Sequence, residues 1–250
     1  MRTRRRLPAL AIGVLAPALA VLLVPTVPSV AGPVPAATRL SISPSFTGPG
    51  VFHDAIANDV HDRIRYTGTL EADEAGTWTP APGETVQLER MAYDAATWSV
   101  VATGTTDDAG AVSLAHDVGR TARYRLSFAG SAEEAASTSP VEQLDAMRDF
   151  NARMTQDGRK LSLHGPRISP AWKAKPVSWY RKKGEHGDWK LLERKHSGAD
   201  GSWRFRAQFP LKVGTWHYRA GIPRTEGFVR SFSVQLHART TPAGRVALIR

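Results

Sequence analysis

An internal repeat with a period near 91 residues constrains this chain more than any other feature. Three matched segments define the repeat: Val86-Gln-Leu88-Glu-Arg90 with Val177-Ser-Trp179-Tyr-Arg181, Trp98 with Trp189, and Tyr124-Arg125 with Tyr218-Arg219. The first two pairs are 91 positions apart and the third is 94 positions apart. Offsets that drift in this way are typical of repeated structural units whose loops differ in length. One duplicated unit of about 95 residues therefore accounts for nearly all of the chain after residue 31.

Each unit consists of short segments in which apolar and polar residues alternate, as at Val112/Leu114 in the first unit and Trp203/Phe205 in the second. A period of two is that of a strand with one buried face. Turn-forming strings such as Asp107-Asp-Ala-Gly110 separate the segments. The sequence therefore predicts an all-β chain of two tandem immunoglobulin-like β-sandwiches, because six or seven short strands in about 100 residues suit that fold.

The order of motifs in the units, V-x-L-x-R, W-x-x-V, D-x-x-G-x-x-x-L and Y-R, resembles the immunoglobulin-like repeat modules of proteins secreted by high-GC Gram-positive bacteria. The resemblance covers both units, and it implies spacers, adhesion units or ligand-binding accessories rather than one activity. We expect the following organisation: a linker at 32–38, a first domain at 39–144, a second domain at 145–238 and a flexible tail at 239–250.

The first 31 residues have the composition of an export signal. Residues 1–6 contain four arginines, residues 7–24 are almost wholly apolar, and Ser29-Val-Ala31 places small residues before a cleavage point. This order is that of a secretory signal peptide, so we expect a secreted protein, either free outside the cell or associated with its wall. The apolar run is also close to the roughly 17 residues of the shortest membrane helix, which leaves an uncleaved signal anchor as the alternative.

The composition excludes several classes of chemistry. The chain contains no cysteine, so it has no disulfides, thiol catalysis or cysteine-ligated zinc. It also contains no phosphate-binding glycine loop and no metalloprotease or serine hydrolase motif. We therefore expect a non-catalytic protein without a cofactor. The alternative is a metal-dependent hydrolase using residues 44–62, which hold five potential ligands without a recognised spacing: His53, Asp54, Asp59, His61 and Asp62.

Charge is divided unevenly between the two units. Residues 32–144 contain 7 Lys and Arg against 15 Asp and Glu, a net charge of −8. Residues 145–250 contain 22 Lys and Arg against 8 Asp and Glu, a net charge of +14. A polarised chain attracts charged partners, and salt weakens that attraction. Docking of the acidic unit against the basic unit within one chain is the internal alternative.

Strand alternation predicts a basic face on the second unit. If Trp203 and Phe205 face inward, the residues between and after them face outward, and the same reasoning applies to the neighbouring strands. We expect six residues to bind a polyanion there: Tyr180, Lys182, Lys183, Arg204, Arg206 and Arg219. Outside a Gram-positive cell the abundant polyanions are wall polymers with phosphate or carboxylate groups, and a surface protein is a further candidate partner. The alternative is that these charges only keep the sheet soluble.

Nucleic acid is not an expected partner of an exported chain, and the sequence makes no prediction of oligomeric state. A purely structural extracellular spacer shares every fold feature with the binding hypothesis.

Tryptophans are concentrated in the second unit, which holds five of the seven. Alternation predicts that Trp179, Trp203 and Trp216 lie in the core, and the repeat predicts the same for Trp189. Trp172 has no counterpart in the first unit, so it is the candidate for an exposed ring that binds carbohydrate. Closing an open end of the sandwich is the equally plausible structural role for Trp172.

Overall fold

The computed structural model describes residues 34–47, 57–59 and 63–249, which form strands and no helix. The first sandwich contains β1 (Thr38–Leu40), β2 (Ser43–Thr47), β3 (Ala57–Asp59), β4 (Arg63–Glu74), β5 (Thr77–Pro80), β6 (Thr85–Ala92), β7 (Ser99–Thr105), β8 (Ala111–Asp117), β9 (Ala122–Phe128), β10 (Ser137–Thr138) and β11 (Glu142–Met147). The second contains β12 (Arg153–Asp157), β13 (Lys160–Gly165), β14 (Pro176–Lys183), β15 (Lys190–His196), β16 (Trp203–Gln208), β17 (Gly214–Ile222), β18 (Ser231–Phe232), β19 (Leu236–Thr240) and β20 (Val246–Ile249). Within these residues no helix is long and apolar enough to cross a membrane.

The first sandwich packs two sheets over one core. In one sheet β4 pairs with β1, β2, β5 and β8, and in the other the order is β3-β11-β9-β6-β7, with β10 on β9. The long strand β4 alternates as predicted, because Ile64, Tyr66 and Leu70 are buried in a core shared with β6 and β9. At Gly68 a Cβ atom would overlap the backbone carbonyl of Ser41 as well as the Leu126 side chain of the facing sheet, so glycine is needed there.

The second sandwich repeats this plan. The three-stranded sheet β12-β13-β16 faces the sheet β15-β14-β17-β19-β20, with β18 on β17. Trp203 and Phe205 of the three-stranded sheet share a core with Val177, Trp179 and Tyr218 of the other sheet. Arg204 and Arg206, which alternate with Trp203 and Phe205 on β16, are exposed. The prediction of an all-β chain with two tandem immunoglobulin-like sandwiches is confirmed.

The segment borders differ from the expected ones at two places. Strand β11 continues to Met147, and Ala146 is buried in the first core, so that core extends beyond residue 144. Residues 246–249 form β20 instead of a loose tail, because Val246 and Leu248 alternate with exposed residues and pack against the second core. The expected signal peptide at 1–31 lies outside the described residues.

The connection between β17 and β18, residues 223–230, joins the two sandwiches. Its Phe228 is 3% exposed and belongs to the core of the first sandwich. Two backbone hydrogen bonds of 2.9 Å also cross the boundary: Thr121 N to Gly227 O, and Val229 N to Ala146 O. The second sandwich therefore completes the core of the first, and we call this contact the junction.

Arg148 fills the space beside the junction. Its guanidinium carbon lies 4.1 Å from the ring centroid of Phe228 and 5.1 Å from that of Trp172. Its Nη1 donates a 2.6 Å hydrogen bond to the Pro170 carbonyl. Burial, together with the charge of Arg120, lowers the pKa of Arg148. Arg148 therefore packs against two rings from connections of the second sandwich, and one of these rings, Phe228, lies in the core of the first.

Candidate binding face on the second sandwich

The six predicted polyanion-binding residues do not share one side of the molecule. Tyr180, Lys182 and Arg219 lie on the outer surface of the β14–β17 sheet, where Tyr180 and Arg219 are cross-strand partners. Arg204 and Arg206 belong to β16, and they lie on the outer surface of the opposite sheet. Alternation distinguishes inward from outward within a strand, but it does not say to which sheet the strand belongs.

Lys183 is also separated from the other residues. It follows Lys182 directly, so it occupies the other face of β14. Its Nζ atom lies 5.9 Å from the ring centroid of Trp216, at the end of the sandwich that is far from the junction. Three of the six residues therefore share one surface, and their binding role stays a prediction.

Cations and aromatic rings alternate on that surface. The guanidinium of Arg219 lies 3.8 Å from the Phe232 ring centroid and 4.1 Å from that of Trp189. Arg230 lies 4.8 Å from the Phe232 centroid, and Lys182 lies 5.3 Å from the Trp189 centroid. These distances are within the range of cation–π attraction, so the rings hold the cations in fixed positions.

Tyr180 completes the set, because Nη2 of Arg230 donates a 2.7 Å hydrogen bond to its hydroxyl. We call these six residues the cation–aromatic face: Tyr180, Lys182, Trp189, Arg219, Arg230 and Phe232. Sequence reasoning missed Trp189, Arg230 and Phe232. The alternation of Arg230, buried Ser231 and Phe232 was the available signal, together with the repeat of Trp98.

The matching surface of the first sandwich is built differently. Arg125 stands at the repeat position of Arg219, and its guanidinium lies 4.3 Å from the Trp98 ring centroid. Its Nε also forms a 2.6 Å ion pair with Glu89, in which both side chains are largely buried. Glu89 corresponds to Tyr180 in the repeat, so the two units share the arginine and the tryptophan but differ in having a carboxylate or a phenol beside the arginine.

Trp98 and Trp189 are thus half-buried on the outer surface, and the prediction that Trp189 belongs to the core is wrong. The core prediction is confirmed for Trp179, Trp203 and Trp216. Trp172 is 2% exposed, which contradicts the exposed ring expected for carbohydrate binding. Its Nε1 donates to the Pro176 carbonyl at 3.1 Å, so Trp172 closes the sandwich beside the junction.

The repeated tyrosine belongs to the interior of the sandwich. Tyr124 and Tyr218 are fully buried at matching positions of the two cores. Burial raises the pKa of Tyr218 to about 12, against the opposing influence of Arg181. The Tyr-Arg motif of the repeat therefore places a tyrosine in the core and an arginine on the outer surface.

Two histidines pair next to the cation–aromatic face. His217 of β17 and His237 of β19 are cross-strand partners, and their Nδ1 atoms lie 2.7 Å apart. This distance allows one ring to donate a hydrogen bond to the other only while at least one ring is neutral. Burial, followed by the charges of His237 and Lys182, lowers the pKa of His217.

The pH dependence of stability follows from this pair. Below the ordinary histidine pKa the unfolded chain takes up a proton that folded His217 does not, so acidification favours unfolding. We expect the melting temperature to fall between pH 7 and pH 5, and to fall less in His217→Gln. Part of the dependence remains, because burial also lowers the pKa of His116 and His164.

Thermal melts across this pH range measure the effect. His186→Gln is the control, because His186 is exposed in the β14–β15 connection, and it should keep the dependence of the wild type. A pH dependence that is the same in His217→Gln and in the wild type would contradict the role assigned to the pair.

The candidate metal loop contributes little to the described structure. His53, Asp54, His61 and Asp62 lie outside the described residues, and Asp59 ends β3, which pairs in parallel with β11. Among the residues that the structure describes, no three histidine or carboxylate side chains are grouped as metal ligands.

No family model and no curated protein matches the chain. Among solved structures, it is similar to the chicken interferon gamma receptor alpha chain, with 10% identity, a TM-score of 0.40, and coverage of 73% of this chain and 94% of that one. It is also similar to the D0-D1 domain of intimin, with 12% identity, a TM-score of 0.28 and coverage of 74% and 94%. A tetra-tandem repeat from the extending region of a large adhesion protein has 16% identity, a TM-score of 0.28 and coverage of 85% and 62%. These likenesses concern the fold alone.

Proposed function

We propose that the protein is a secreted or wall-associated, non-catalytic binding module that attaches to anionic polymers through its second sandwich. The observation that carries this proposal is the cation–aromatic face, in which the rings of Trp189 and Phe232 order its three cations. The face combines three cations with three aromatic rings, and none of its six residues is acidic.

The arrangement of the cations suits a polymer. Stacking on Phe232 and Trp189 fixes the plane of the Arg219 guanidinium. Planar donors of this kind match the geometry of phosphate and carboxylate oxygens. Because the rings have already ordered these side chains, less conformational entropy is lost when a ligand binds. A repeating anion would contact several cations at once.

Charge over the whole second sandwich supports the same ligand class. A net charge of +14 in residues 145–250 attracts a polyanion at long range, and the face supplies ordered contacts at short range. A single exposed ion pair contributes only about 0–1 kcal/mol, so affinity must come from many contacts together. Binding should therefore fall steeply between 0.05 M and 0.3 M salt, where the Debye length shortens to about 6 Å.

Retention of the full chain on immobilised polyphosphate and polygalacturonate tests this proposal, with neutral dextran as the reference matrix. The double variant Lys182→Gln/Arg230→Gln removes two cations from the face and should reduce affinity at least tenfold. The control Arg204→Gln/Arg206→Gln removes the same charge from the opposite sheet and should stay within about twofold of the wild type.

Equal losses in the two double variants would mean that overall charge decides binding and that the face has no special role. Retention that persists at 0.5 M salt would also contradict the proposal, because contacts of this kind are screened at that ionic strength.

The structural spacer remains the second candidate function, and the junction supports it. A core side chain and two backbone hydrogen bonds cross between the sandwiches, which suits a rigid extension. Binding of the wild type to neither polymer at low salt would favour the spacer over the binding module.

A further inference from the structure

The end of the first sandwich that is far from the junction is acidic. Strand β9 begins beside the junction contact of Thr121 and ends at Phe128, about 20 Å away. Four glutamates are close enough at that end to interact electrostatically, and we call them the acidic end: Glu74, Glu84, Glu133 and Glu134. Burial and the charges of the other three raise the pKa of Glu134. Among the described residues none of the four forms an ion pair.

The far end of the second sandwich has the opposite charge. Strand β17 ends beside the junction and begins at Gly214, about 25 Å away, where the turns between strands meet. Six exposed cations lie in these turns or at the strand ends beside them, and we call them the basic end: Arg159, Lys160, Lys183, Lys190, Lys212 and Arg245. Only three acidic residues share the turns: Asp157, Glu185 and Asp188. Within the described part of the chain none of the six cations forms an ion pair.

Exposed apolar side chains lie at both ends, with Leu211 and Val213 at the basic end and Trp78 at the acidic end. Leu211 is 68% exposed and Val213 is 47% exposed, on either side of Lys212. Trp78, in the hairpin beside Glu74, is 38% exposed. Apolar side chains within a charged patch are typical of a contact surface, because charge sets the orientation and apolar burial adds affinity.

Within the described ranges, no strand of one sandwich pairs with a strand of the other, and the backbone hydrogen bonds between the sandwiches lie at the junction. Each end lies two or more Debye lengths from the junction at physiological salt. The two charges are therefore available to separate molecules.

We propose that the protein associates head to tail with further copies of itself, the basic end of one molecule docking on the acidic end of the next. The two docking surfaces differ, so the contact is heterologous and leaves one unused surface at each end of every oligomer. Such a contact adds molecules in a row, and salt weakens it because both surfaces are exposed. The cation–aromatic face reaches this end through Trp189 of the β14–β15 turn, but none of its three cations belongs to the basic end.

Sedimentation velocity of the chain from residue 32, at 5–100 μM protein and at 0.02 M or 0.3 M salt, tests this proposal. We expect the weight-average sedimentation coefficient to rise with concentration at low salt and to stay at the monomer value at high salt. Lys183→Glu/Lys212→Glu should abolish the rise, because four cations against five acidic residues leave the basic end without its positive charge. Glu84→Lys/Glu133→Lys should also abolish it, because two glutamates and two lysines leave the acidic end without net charge.

Mixing the two variants is the decisive arm, because each keeps one unaltered end and the basic end of one fits the acidic end of the other. We expect the mixture to form a one-to-one complex that neither variant forms alone. Lys182→Gln/Arg230→Gln, which loses the proposed polymer-binding face, should still associate, so the two proposals can fail separately. A wild type that stays monomeric at low salt, or a mixture that does not associate, would overturn the head-to-tail contact.

Discussion

Phe228→Ala is expected to lower the free energy of unfolding by about 3–5 kcal/mol, the range for removing a large aromatic ring from a core. Phe228 is 3% exposed and packs in the core of the first sandwich, although the chain reaches it from β17 of the second. The substitution leaves a cavity that the first sandwich cannot fill from its own strands. It also removes the ring on which Arg148 rests, 4.1 Å from the centroid.

Urea unfolding followed by circular dichroism measures this effect. Leu211→Ala is the control, because Leu211 is 68% exposed in a turn, and it should change the free energy of unfolding by less than about 0.5 kcal/mol. A loss below 1 kcal/mol in Phe228→Ala would show that the first core does not depend on the junction.

Trp172→Ala is expected to have an effect of similar size, about 3–5 kcal/mol. Trp172 is 2% exposed, and its Nε1 donates to the Pro176 carbonyl. The backbone carbonyl of Trp172 accepts a hydrogen bond from the Ser197 hydroxyl. The ring also covers Arg148 near the junction, so its removal exposes that cation and leaves a void at the end of the core.

Trp78→Ala provides the matched comparison for this variant, because its ring is 38% exposed and should cost about 1 kcal/mol or less. Chemical denaturation of both variants gives the two free energies. If Trp172→Ala were as stable as the wild type and lost affinity for a neutral sugar, the ring would be a carbohydrate platform after all.

The repeat and the period of two were sufficient to predict the fold. Both are local properties, since alternation such as that of Trp203 and Phe205 follows from the pleat of a single strand. Register and sheet membership depend on contacts between distant strands. For that reason Arg204 and Lys182 were expected on one surface, whereas the structure separates them into opposite sheets.

The missed residues have a related explanation. Phe228 lies in a connection without periodicity, and nothing in its sequence indicates that it enters the other sandwich. Trp189 was assigned to the core because it is large and repeated, yet both repeated tryptophans stack on an outward arginine instead. A repeated tryptophan paired with a repeated arginine indicated a surface contact as much as a core position.

The proposed binding of anionic polymer depends on the ordered cations of the cation–aromatic face, where Tyr180 stands at the position of Glu89 in the first sandwich. The affinity of Tyr180→Glu for polyphosphate at 0.05 M salt, compared with that of Arg204→Gln, tests this claim most directly. Both substitutions lower the net charge by one, but only the first restores a carboxylate beside Arg219. We predict a loss of at least tenfold for Tyr180→Glu and less than twofold for Arg204→Gln. Equal affinities of the two variants would contradict the account.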